Sequence, residues 1–261
     1  MHWLLLLLCS VLTPPALSHI LGAFVLPHGG IALSPSQFHT TSKLAKQWAW
    51  KIHRSAVDLG RHIRQERPDI IFLSTPHGVA DMQRFMLYLN ARANGSAQTD
   101  NCVCPPCCYT VDAKMDARLA DKLAHNLGQA RGLNVSGMAF FGPPGESQEA
   151  ATLRWGEVIP LLFVKDLGKA KLVVMSQPAR RYQDSRGMVK ELLALGGHLY
   201  EALEKLPERV IVIISADLAH THEARPSFAA LLPGHRDSWR GACWVPGSLS
   251  DTSTLTPPTM A

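Results

Sequence analysis

Apolar residues along this chain follow two rhythms. Short runs rich in β-branched or aromatic side chains, bounded by turn residues, occupy residues 22–26, 69–73 and 209–214, with two more at 135–140 and 171–176. Each is too short for a helix and reads as a buried parallel strand. Between them the apolar positions recur at helical spacing. Leu44, Trp48, Ile52, Leu59 and Ile63 follow a Ser42 cap; Met115, Leu119, Leu123 and Leu127 follow Asp112; Met188, Leu192, Leu195, Leu199 and Leu203 precede Pro207. These predict amphipathic helices whose leucines and aromatics face the core. Strand and helix alternate, so the predicted fold class is α/β, a mainly parallel central sheet with helices on both faces.

Both ends break this order. A leucine run at 4–8 continues through Val11 and Leu12 and gives way to Pro14, Pro15, Ala16 and Ser18. It is shorter than the roughly 20 residues a membrane span needs, and predicts a signal peptide, residues 1–18, cleaved before His19. Secretion, or residence in the lumen of the secretory route, follows from that. Two acceptor triplets, Asn94-Gly95-Ser96 and Asn134-Val135-Ser136, agree with a glycoprotein. Residues 226–261 are rich in proline, glycine, serine and threonine without a sustained period, which predicts a divergent, disordered tail. One domain is expected over 19–225.

Composition changes the picture little. With 261 residues, 46% hydrophobic and 18% charged, the chain can bury a full core as one domain. The formal net charge of +5 would suit an anionic partner, yet there is no basic block interleaved with aromatics. Arg180, Arg181 and the stretch 61–67 read as solvated faces, which argues against nucleic-acid binding. No span crosses a membrane, and a homo-oligomer stays open. Of six cysteines, Cys9 lies in the leader; Cys102, Cys104, Cys107 and Cys108 crowd together while Cys243 stands apart. Cys104 and Cys107 have the spacing of a redox or zinc pair, but no second ligand pair accompanies them, and a disulfide-pinned loop is the better reading.

The three strongest strand candidates each run out into a histidine. Leu-Pro-His-Gly-Gly at 26–30 carries His28, Thr-Pro-His-Gly at 75–78 carries His77, and Ser-Ala-Asp-Leu-Ala-His-Thr-His at 215–222 carries His220. A histidine on a tight loop at the carboxyl end of a buried strand is well placed as a metal ligand or proton carrier, and two such loops can meet on one ion.

In order and separation these three loops resemble the class III extradiol ring-cleavage dioxygenases, the superfamily of the protocatechuate dioxygenase catalytic subunit. The similarity runs from about residue 22 to residue 223. The resemblance implies a non-haem Fe(II) enzyme that opens a catechol-like aromatic ring with dioxygen. It makes His28 and His77 the iron-binding histidines and His220 the acid/base. Two imidazoles and a carboxylate on one face of Fe(II) leave positions for both reactants, and a histidine titrating near neutrality can move the catechol proton. The family's third ligand is a glutamate well beyond the acid/base histidine, and here no glutamate follows Glu223. Many relatives carry a second histidine before a Gly-x-x-x-Pro-Leu stretch; Trp155 stands there, ahead of Gly156 to Leu161. The same fold contains the Memo proteins, so a non-catalytic binding or signalling role is the alternative. A zinc hydrolase at the same loops and a thiol oxidoreductase at Cys104 and Cys107 are more distant ones.

Overall fold

The computed structural model describes residues 19–38, 40–99, 109–130, 132–141, 149–165 and 167–217. The signal peptide, the cysteine cluster, His220 and the tail expected from the sequence lie outside these. Nine strands and five α-helices occur among the described residues. Their order is β1 (Ile20–Leu26), α1 (Gly30–Leu33), α2 (Lys43–Gln65), β2 (Ile70–Thr75), β3 (Phe85–Tyr88), β4 (Arg92–Ala97), β5 (Tyr109–Lys114), α3 (Ala117–Gly128), β6 (Val135–Met138), β7 (Ala151–Leu153), α4 (Trp155–Val164), β8 (Lys171–Ser176), α5 (Gly187–Glu204) and β9 (Val210–Ser215).

The main sheet has the order β1-β9-β2-β8-β3-β6 and is parallel except for the β3/β8 pair. Its alternate residues feed two cores, as the period of a strand requires. On one face Leu26, Ile71, Leu73, Val174, Ile211 and Ile213 pack with α2 and α4; on the other Ile70, Phe72, Phe85, Val173, Met175 and Val210 pack with α3 and α5. The α/β fold with helices on both faces is therefore the observed one. A smaller sheet, β5-β4-β7, which the apolar pattern does not predict, pairs β4 antiparallel with β5 and parallel with β7.

Several local expectations are corrected. Helix α3 is capped by Asp116, whose side chain accepts from the Leu119 amide, while Asp112 sits in β5. Leu44, Trp48, Ile52 and Leu192 are exposed at 50%, 52%, 43% and 38% and do not form core. The buried side of α2 is built instead from Ala45, Ala49, Ala56, Gly60 and Ile63. Small side chains let this helix lie close on α4, and the larger apolar ridge at i, i+4 and i+8 is left on its flank. Two of the arginines read as solvated have structural partners: Arg64 donates to the Phe163 and Val164 carbonyls at the end of α4, and Arg180 pairs with Glu191. A basic side chain on the last carbonyls of a helix satisfies groups that have no helical partner.

Candidate functional site

Strand order brings the first two histidine loops together. β1, β9 and β2 are consecutive and parallel, so their carboxyl ends share one rim, the side on which open α/β sheets bind ligands. His28 lies two residues beyond β1 and His77 two beyond β2. Their rings meet edge to face, centroids 4.6 Å apart. Between them β9 ends at Ser215, followed by Ala216 and Asp217.

His28 is buried, and its orientation follows from donor counting. Nδ1 lies 3.0 Å from Ser215 Oγ, and Ser215 Oγ donates to the Gly156 carbonyl at 2.5 Å. A carbonyl only accepts and a serine hydroxyl carries one proton, so Ser215 must accept from His28 Nδ1–H. The neutral ring then carries its lone pair on Nε2. Pro160 explains why the Gly156 carbonyl accepts the Ser215 hydrogen bond. It sits inside α4, four residues after Gly156, and has no N–H to give to the preceding turn.

Asp217 fastens the same loop. Its Oδ1 accepts from the amides of His28 at 3.1 Å and Gly29 at 3.2 Å, and its Oδ2 lies 3.5 Å from His28 Nε2. A carboxylate oxygen facing an imidazole nitrogen is stabilised when that nitrogen is protonated or when a cation sits between them.

The second loop is held from below. The His77 amide donates to Thr75 Oγ1 at 3.2 Å, and the Trp155 ring lies 5.2 Å from the His77 ring, planes 33° apart. At Gly156 a Cβ would stand 2.7 Å from His77 Cβ and 2.8 Å from Thr75 Oγ1. Only glycine lets the first turn of α4 come this close. The indole of Trp155 is 39% exposed, with the Arg154 guanidinium 4.7 Å over it.

Beneath the loops lies a polar group that sequence reading missed. Glu157 is fully buried; its Oε1 accepts from Tyr88 Oη at 2.9 Å and its Oε2 from the Arg154 amide at 3.0 Å. Burial pushes the Glu157 carboxyl up to about 7, against the lowering effect of the Tyr88 and Arg154 hydrogen bonds. Burial, then the Glu157 charge, raises the Tyr88 phenol well above its ordinary value. The available signal was one acid inside the otherwise apolar run 155–164, since buried carboxylates need dedicated partners.

The donor set can be tested for a cation. Two imidazoles that bind one ion at about 2.1 Å with bonds near a right angle bring their centroids to about 4.5–5 Å; the observed 4.6 Å lies in that range, which ordinary edge-to-face ring packing shares. His28 also presents the tautomer with a lone pair on Nε2. The two rings are within reach of one ion, which His28 would meet through Nε2. Among the described residues no group of three or more His, Cys, Asp or Glu side chains converges as a metal site. No described helix is long and apolar enough to cross a membrane.

A mainly parallel α/β sheet carries two loop histidines that meet at its strand ends, and comparison with family models assigns the chain to the class III extradiol dioxygenase superfamily. Residues 22–231 match the family model described as the catalytic LigB subunit of aromatic ring-opening dioxygenase, and the chain belongs to that family. Members of the family are typically metal-dependent. No curated protein matches the chain.

Proposed function

We propose that this chain opens a catechol-like aromatic ring with dioxygen, with Fe(II) held by His28 and His77. The observation that carries the reading is the 4.6 Å meeting of the two histidine rings at the β1 and β2 ends, within a chain of the ring-opening dioxygenase family. Fe(II) bound there would supply Lewis acidity toward a catecholate and a route for electrons from the ring to dioxygen. The protein's own part is orientation. Ser215 holds His28 with its Nε2 lone pair presented, Asp217 fixes the loop backbone, and Gly156 seats α4 against His77. The Trp155 indole, with the Arg154 guanidinium over it, packs beside the His77 ring. His220, carried over from the family resemblance, takes the catechol proton as base and returns it as acid.

Entry into the secretory route is part of the same proposal, and Asn94 and Asn134 are both exposed, as glycan acceptors must be. The test is oxygen consumption by anaerobically Fe(II)-loaded full chain given a panel of catechols. The expected result is oxygen uptake with a coloured ring-opened product, lost in His28→Ala and His77→Ala. Tight catechol binding without uptake would refute ring cleavage and favour the Memo-like binding role.

A further inference from the structure

Glu157 has no place in the chemistry above, yet it is tied to both histidine loops. On one side Tyr88 Oη donates to its Oε1 and accepts from the Val79 amide, each at 2.9 Å, two residues beyond His77. Ser176 Oγ donates to the Val79 carbonyl at 2.8 Å. Gly78 threads this knot: a Cβ there would collide with Tyr88 Oη and stand 2.7 Å from Glu157 Oε1 and 2.8 Å from Ser176 Oγ. On the other side Glu157 Oε2 accepts from the Arg154 amide, closing the first turn of α4. That turn carries the Gly156 carbonyl that accepts from Ser215 Oγ and so orients His28.

We propose that Glu157 is a positioning residue that holds the His28 and His77 loops in register with each other. The role calls for a carboxylate of this length. Both oxygens must accept, one from a phenol and one from a backbone amide. Glutamine offers a single acceptor oxygen, and aspartate is one methylene too short to span the same two donors. A protein that only needed α4 capped could use a surface serine or aspartate; a buried carboxylate joined to a buried tyrosine links the helix start to a second loop. The inference rests on the metal-site reading for its functional meaning, though its geometry can be tested without a metal.

The test uses metal-free full chain and two variants, Glu157→Gln and Tyr88→Phe, the second deleting one hydroxyl and keeping the ring. Histidine ring resonances are assigned by nitrogen–proton correlation, well below each variant's melting point. The expected result is that both variants shift His28 and His77, while His53, bonded to the Ala32 carbonyl, and His125 stay put. Co(II) is then added as a spectroscopic probe, and both variants should weaken its binding about tenfold or more with an altered visible spectrum. Folded variants with unmoved His28 and His77 resonances would overturn the proposal, as would Co(II) binding within twofold of wild type. If wild type takes up no Co(II) while the ring shifts occur, the metal-site reading fails and the positioning role stands.

Discussion

Replacing Ser215 with alanine deletes one hydroxyl and leaves two buried groups without their partner: Nδ1–H of His28 and the carbonyl of Gly156, to which Pro160 has no N–H to offer. Each orphaned buried group costs about 1–3 kcal/mol, so about 3 kcal/mol is expected in all. For a domain of this size that lowers the melting temperature by about 6–12 °C. The sharper consequence is chemical. Without an acceptor at Nδ1 the ring is no longer held to one tautomer, Nε2–H becomes populated, and metal affinity falls by about 10–100-fold. Nitrogen–proton correlation spectra of His28 report the tautomer, and anaerobic Co(II) or Fe(II) titration reports the affinity. Wild type should show Nδ1–H, and Ser215→Ala a mixture. An unchanged Nδ1–H tautomer in the variant, or affinity within twofold of wild type, would refute the donor-counting argument.

Glu157 makes the fold pH-sensitive. Its folded pKa of about 7 lies above the ordinary 4.5 because burial penalises the charge, so stability is highest below about pH 4.5, where the carboxyl is neutral folded or unfolded, and falls by about 3 kcal/mol as pH rises to 7; the carboxylate that joins the two loops forms against that cost. Chemical denaturation across that window should show Glu157→Gln removing this slope, and a parallel slope in the variant would contradict it. Asp217→Ala removes the acceptor of the His28 and Gly29 amides and should cost about 1–3 kcal/mol by denaturant midpoint, whereas Asp217→Asn, which keeps Oδ1, should cost less. Gly156→Ala should weaken metal binding by displacing His77, since its Cβ has no room beside His77 Cβ and Thr75 Oγ1; an unchanged titration would show that the loop yields freely.

The strands that carry the site were legible because buried parallel strands are short continuous apolar runs: β8 matches its expected bounds, and β1, β2 and β9 differ by at most two residues at an end. Sequence alone could not show that β9 runs between β1 and β2, the pairing that brings His28 to His77. The outer ridge of α2 misled because period marks an apolar stripe without saying which flank is covered; close helix packing selected Ala49 and Gly60 over Trp48 and Ile52. Helix α4 escaped notice because Pro160 argues against a helix, yet the same proline turns Gly156 toward Ser215. The partners Ser215, Glu157 and Tyr88 come from distant parts of the chain, and hydrogen bonds of that kind leave no period.

The most direct test of the central claim is an anaerobic Fe(II) titration of the full chain, with His28→Ala, His77→Ala and the double variant alongside. A site shared by His28 and His77 predicts about one Fe(II) per chain in wild type and a severe loss in each single variant. Fe(II) binding at wild-type strength in the double variant would contradict it.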